Sequence, residues 1–184
     1  IVAWRLGEEA ILLGNRDGLG LSPVTVWARR IVALTTWLGI LALFFMVRRT
    51  WGHRLAVLGT VIVALDPFFL AHSRVHHLDG LLTTFMMLSV VSLSSFLRRN
   101  RPIPLLVLSG VMAGLAIANK APGMFLAPWA ALAIGWTAWR GGRDGRRQRL
   151  LTSLWILLAW GAITALTTFA VWPALWADPA GTLR

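Results

Sequence analysis

Six apolar runs separated by short polar turns decide most of what this chain can fold into. They lie at Val24–Val47, Leu55–Leu65, Leu81–Leu97, Ile103–Ala118, Met124–Trp139 and Leu150–Val171. A helix needs about 20 apolar residues to cross the hydrocarbon of a bilayer. Runs of about 16 to 23 residues, recurring along one chain, read as a series of such helices. No polar/apolar alternation recurs over segments of about ten residues, which argues against a barrel.

Composition points the same way. The 184 residues are 57% hydrophobic and only 14% charged, where a soluble domain carries about 25%. The expected fold is all-α, a polytopic transmembrane helix bundle with about six crossings. Within it, residues 1–23 form an external interfacial segment, 24–172 the six-helix membrane region, and 173–184 the start of an external loop. Three local features sharpen this. The second crossing reaches Leu70 if Pro67 only kinks it. The fifth is expected to bend at Pro128. Gly110 and Gly114, four apart, should let the fourth helix approach a neighbour closely.

The formal charge of +11 would suit a nucleic-acid partner if the cations were gathered into a patch. They are instead dealt into alternate turns. Arg48, Arg49, Arg54, Arg98, Arg99, Arg101, Arg140, Arg143, Arg146, Arg147 and Arg149 follow the first, third and fifth runs. The other turns and both ends hold Glu8, Glu9, Asp17, Asp66, Asp79 and Asp178, and only Asp144 lies among the arginines. That is the positive-inside pattern, so no nucleic acid is expected. The arginine turns are assigned to the cytoplasm and the acid-bearing turns to the outside of the cell membrane. The chain contains no cysteine, which excludes disulfides and thiolate chemistry. It does not open on methionine and ends in a polar turn, so it reads as a fragment of a longer membrane protein.

Chemistry is concentrated in three acid-side segments: Asp66–Asp79, Asn119–Gly123 and Trp172–Asp178. Lys120 is the only lysine and lies on the side that should be poor in cations. It either snorkels at the interface or makes a point-charge contact to phosphate. Arg74 either pairs with Asp66 or Asp79, or grips a phosphate bidentately. If 72–79 is helical, His72, His76 and Asp79 share one face, a ligand set suited to a divalent metal ion; hydrogen bonding at the interface is the plainer reading. Glu8-Glu9 reads as a solvated helix face rather than as a base.

At these residues the chain resembles the protein O-mannosyltransferase-like branch of the GT-C glycosyltransferases. Pro67…Ser73-Arg74…Leu78-Asp79 is similar to that family's external loop. Gly114-Leu115-Ala116…Lys120…Gly123-Met124-Phe125 is similar to its Gly-Leu…Lys-x-x-Gly-x-Phe segment, and Trp51-Gly52-His53-Arg54 to a short cytoplasmic turn. The resemblance runs from about Arg29 to Asp178. It implies that the six crossings belong to a larger GT-C membrane domain, and that a monosaccharide passes from a polyprenyl-phosphate donor to an acceptor hydroxyl or amine, on a protein or a cell-envelope glycolipid, at the external (periplasmic or extracellular) face. Arg74 and Asp79 are then the expected catalytic residues, with Lys120 and Arg74 on the lipid phosphate. The family's catalytic aspartate precedes a His-Pro-Pro stretch, and neither is present here. The fragment alone is therefore expected to be inactive, and the base role does not pass to Glu8 or Glu9. His76-His77 also departs from the apolar residues common at that place. Two other classes compete: a transporter fragment, which calls for polar residues at mid-membrane, and a non-catalytic membrane scaffold, which leaves Arg74 and Lys120 unexplained.

Overall fold

The computed structural model describes residues 23–67, 79–98, 102–140, 145–172 and 176. Among these residues every element is helical. In chain order they are α1 (Pro23–Trp51), α2 (His53–Leu65), α3 (Asp79–Arg98), α4 (Ile103–Asn119), α5 (Leu126–Trp139) and α6 (Arg146–Val171), with a 3-10 segment, Ala121–Phe125, between α4 and α5. Each apolar run thus contributes one helix. Residues Val26–Trp51 of α1, together with α3 and α6, are long and apolar enough to cross a membrane. Helices α2 and α4 are apolar but shorter.

Of the two proline expectations, one is decided and one changes. Helix α2 does not run on to Leu70: it stops at Leu65, and Asp66 is extended, with φ −62° and ψ 115°. The ring of Pro67 crowds the residue before it out of the helical region. Nor does Pro128 bend the fifth helix. It is the third residue of α5, inside the first turn, where a missing N–H breaks no intrahelical bond. The break lies earlier, in the 3-10 segment. Between α1 and α2 the chain reverses on Gly52, whose φ of 100° and ψ of 168° suit glycine alone.

Contacts between helices fix their directions. Gly39 and Thr50 of α1 meet Thr84 and Ser95 of α3, so the two helices run parallel. Ser89 meets Ser109, and Asp79 meets Lys120, so α3 and α4 run antiparallel. Gly110 lies against Ile163 and Gly114 against Thr167, which makes α4 and α6 parallel. Every described turn therefore falls at one of two ends. One carries Arg48, Arg49, Arg54, Arg98, Arg140 and Arg146; the other carries Asp66, Asp79 and Lys120. A helix of 20 residues such as α3 holds these ends about 30 Å apart.

Packing is inverted relative to a soluble domain. Leu93, Phe96, Leu126, Ile134 and Trp160 are buried, but so are Thr84, Ser89, Ser92, Ser95, Ser109 and Thr164. Ser89 and Ser109 each donate to the other's carbonyl, at 3.0 and 2.9 Å. The Trp160 indole N–H donates to Ser109 Oγ at 2.9 Å. Thr164 and Thr168 of α6 donate to the Gly110 and Gly114 carbonyls, both at 3.2 Å. Meanwhile Trp27, Leu34, Trp37, Leu132, Trp155 and Leu166 face outward. Lipid gives apolar side chains no reason to hide, so small residues and interhelical hydrogen bonds hold such helices together. The close approach expected of Gly110 and Gly114 is realised: a methyl on Gly114 would lie 2.7 Å from the Thr164 carbonyl oxygen.

Candidate active site

The acid-bearing end is built where α3 begins and α4 ends. Asp79 is the first residue of α3, and its carbonyl accepts a hydrogen bond from Thr83 Oγ1 at 2.8 Å. Lys120 caps α4 in an extended conformation, its amide still donating to the Ala116 carbonyl at 3.1 Å. Its ammonium lies 2.7 Å from Asp79 Oδ1. Each charge also suits the helix end it occupies, the carboxylate at an N-terminus and the ammonium at a C-terminus. The lysine side chain is 48% exposed and the aspartate 30%, so the pair is open to a ligand. Such open pairs contribute about 1 kcal/mol or less to stability.

What holds Lys120 in place is the turn after it. The Gly123 N–H donates to the Lys120 carbonyl at 2.9 Å, closing the first 3-10 turn. Gly123 is buried against the last turn of α4, where a Cβ would lie 2.5 Å from the Ala116 carbonyl carbon and 2.6 Å from the Ile117 nitrogen. Only glycine lets the turn lie this close. Met124 and Phe125, at 63% and 72% exposure, follow directly. A cation thus stands beside uncovered apolar surface.

Sequence reasoning marked Asp79 and Lys120 separately but did not join them. The signal was present: each lies about twenty residues from the turn between α3 and α4, so an antiparallel pair brings them level. Nor did it single out the exposure of Met124 and Phe125. His72, Arg74, His76 and His77 lie outside the described residues, as does any pairing of Arg74. Of the metal set His72, His76 and Asp79, only Asp79 is described, and among the described residues no group of three or more metal-ligating side chains occurs. The mid-bundle hydroxyls are more numerous than expected. Ser89, Ser109 and Thr164 are engaged in bonds between helices.

A family model described as dolichyl-phosphate-mannose-protein mannosyltransferase matches residues 20–174. The chain belongs to that family. Comparison with curated proteins and with solved structures gives no match. The matched stretch contains all six helices, the Asp79–Lys120 pair and the Gly123 turn. Membership supports a mannosyltransferase-type glycosyltransferase at the family level, and the membrane-length helices fit an enzyme that works in a bilayer.

Proposed function

We propose that this chain supplies the phosphate-holding wall of a site where a monosaccharide leaves a polyprenyl-phosphate donor for an acceptor on a protein or a cell-envelope glycolipid. The observation that carries the reading is the Asp79–Lys120 pair at the acid-bearing end, which we assign to the external face of the membrane. As the bond from the sugar's anomeric carbon to the phosphate oxygen breaks, negative charge collects on the departing lipid phosphate. An ammonium fixed beside it stabilises that charge more than it stabilises the intact donor, and this difference lowers the barrier. Asp79 holds Lys120 on station, and Arg74 is the second cation we assign to the phosphate. Met124 and Phe125 offer apolar surface to the first isoprene units. The acceptor's proton is taken by a separate base; Glu8 and Glu9 are not given that role.

The test uses the full-length enzyme, with donor affinity and turnover measured alongside thermal melting. Lys120→Ala is expected to weaken donor binding and slow transfer tenfold or more, equivalent to about 1.4 kcal/mol. Lys120→Arg should recover part of this, since charge is kept while shape changes. Asp79→Asn should lower turnover more than it lowers melting temperature. An alanine variant that melts early but binds donor normally would reduce Lys120 to an interfacial anchor and sink the proposal.

A further inference from the structure

The arginine-bearing end of the bundle carries a cavity of its own. We propose that it binds the phosphate headgroup of an anionic phospholipid. The cavity, of 690 Å³, opens between the last turns of α1 and α3 and the start of α4. Its head is lined by Arg49, Thr50, Ser95 and Arg98, and its wall continues over Phe45 and Met46. Among the described residues that line it, none is acidic.

The geometry is that of a headgroup seat. Thr50 Oγ1 donates to Ser95 Oγ at 2.9 Å, which ties α1 to α3 at the cavity floor and fixes the separation of the two arginine-bearing turns. The guanidinium of Arg98 lies 6.0 Å from the Trp51 ring centroid, a cation–π contact that orients the side chain while its edge stays available to an anion. Arg49 and Arg98 are both exposed at the mouth. The planar guanidinium fork of Arg98 matches a phosphate monoanion, which it can grip bidentately, and Arg49 adds a second positive charge at the mouth. Arginines at helix C-termini also answer the helix dipole, but that role needs neither a cavity nor an apolar wall. The wall decides between a lipid and a soluble anion. Phe45 is 54% exposed and sits one and a half turns inside α1, a helix of membrane-crossing length, so an acyl chain lying on it continues directly from the seat. A soluble phosphate would make no use of that surface. The seat lies about 30 Å from the Asp79–Lys120 pair, one length of α3 away, so it is not part of the donor site and does not depend on the function proposed above.

The experiment is native mass spectrometry of the purified full-length protein in detergent, titrated with phosphatidylglycerol or with phosphatidylcholine. A preference of about tenfold for phosphatidylglycerol is expected, from two arginines facing one net negative headgroup. The Arg49→Gln/Arg98→Gln variant should lose it and the Arg49→Lys/Arg98→Lys variant should keep most of it. Should the double glutamine variant not fold, each single glutamine variant is expected to weaken phosphatidylglycerol binding by about threefold or more. Unchanged binding in the double variant, or in both singles, overturns the proposal. Displacement of the lipid by millimolar inorganic phosphate overturns it as well, by assigning the cavity to a soluble anion.

Discussion

Replacing Gly123 with alanine measures how firmly the turn presenting Lys120 is pressed onto α4. The new methyl would lie 2.5 Å from the Ala116 carbonyl carbon and 2.6 Å from the Ile117 nitrogen. Carbon contacts settle at about 3.5–4.0 Å, so the overlap is roughly 1 Å. Both obstacles are helix backbone and cannot rotate aside. Either the 3-10 turn withdraws by about that distance, or the last turn of α4 opens. Withdrawal strains the 2.9 Å bond from the Gly123 N–H to the Lys120 carbonyl and pulls the ammonium off Asp79, now 2.7 Å away. Overpacking costs about 1–3 kcal/mol and the hydrogen bond about 1, while alanine regains about 0.4–1 through a less flexible unfolded chain. The expected net loss is about 1–3.6 kcal/mol on those figures. In the full-length enzyme a shift of 1 Å in a positioning group lowers turnover about a hundredfold. Thermal melting beside Gly135→Ala gives the comparison, because a methyl on Gly135 meets nothing within 4 Å. Equal melting of the two variants, with equal turnover, would refute the argument that backbone contact sets the position of Lys120.

Gly114→Ala places a methyl 2.6 Å from Thr167 Cβ and 2.7 Å from the Thr164 carbonyl oxygen; melting should register a loss of about 1–3 kcal/mol, whereas Gly161→Ala, with nothing within 4 Å, should be tolerated. Ser109→Ala removes the acceptor of the Trp160 indole N–H and the hydroxyl that donates to the Ser89 carbonyl, with an expected cost of about 1–3 kcal/mol that the added Trp160→Phe change should partly recover. Because the chain contains no cysteine, Ala121→Cys and Gln148→Cys can be labelled singly with an impermeant maleimide in intact and opened cells. They should report opposite sides of the membrane, and labelling of both from one side would overturn the assignment of the two ends.

Helix number and type were legible because each apolar run is bounded by arginines, glycine or proline, and these act locally. The Gly110–Gly114 contact was legible for the same reason, since a four-residue spacing of missing side chains marks one helix face. Two prolines were harder to read. Pro67 acts on the residue before it and stops α2 at Leu65, the shorter of the two ends the sequence allowed; Pro128 gives no bend because it falls where a helix does not need the N–H. The Asp79–Lys120 pair was hidden by a sequence separation of 41 and emerges only when α3 and α4 are set antiparallel. The hydroxyl seam was hidden by chemistry. Ser92, Thr164, Thr167 and Thr168 each donate to the carbonyl four residues back, so a serine or threonine in an apolar run looks like an inert guest and gives no sign of its partner across the interface.

That seam has a thermal consequence. In soluble proteins the curvature of stability with temperature comes from the heat capacity of water around apolar groups exposed on unfolding. Here Trp27, Leu34, Trp155 and Leu166 already face outward, and in lipid they meet hydrocarbon whether or not the helices are associated. Parting α3, α4 and α6 within the bilayer uncovers hydroxyls, carbonyls and glycine faces, and almost no new apolar surface to water. The heat-capacity change of that step is therefore close to zero. Its free energy should fall along a nearly straight line on warming, with no optimum at intermediate temperature and no weakening in the cold.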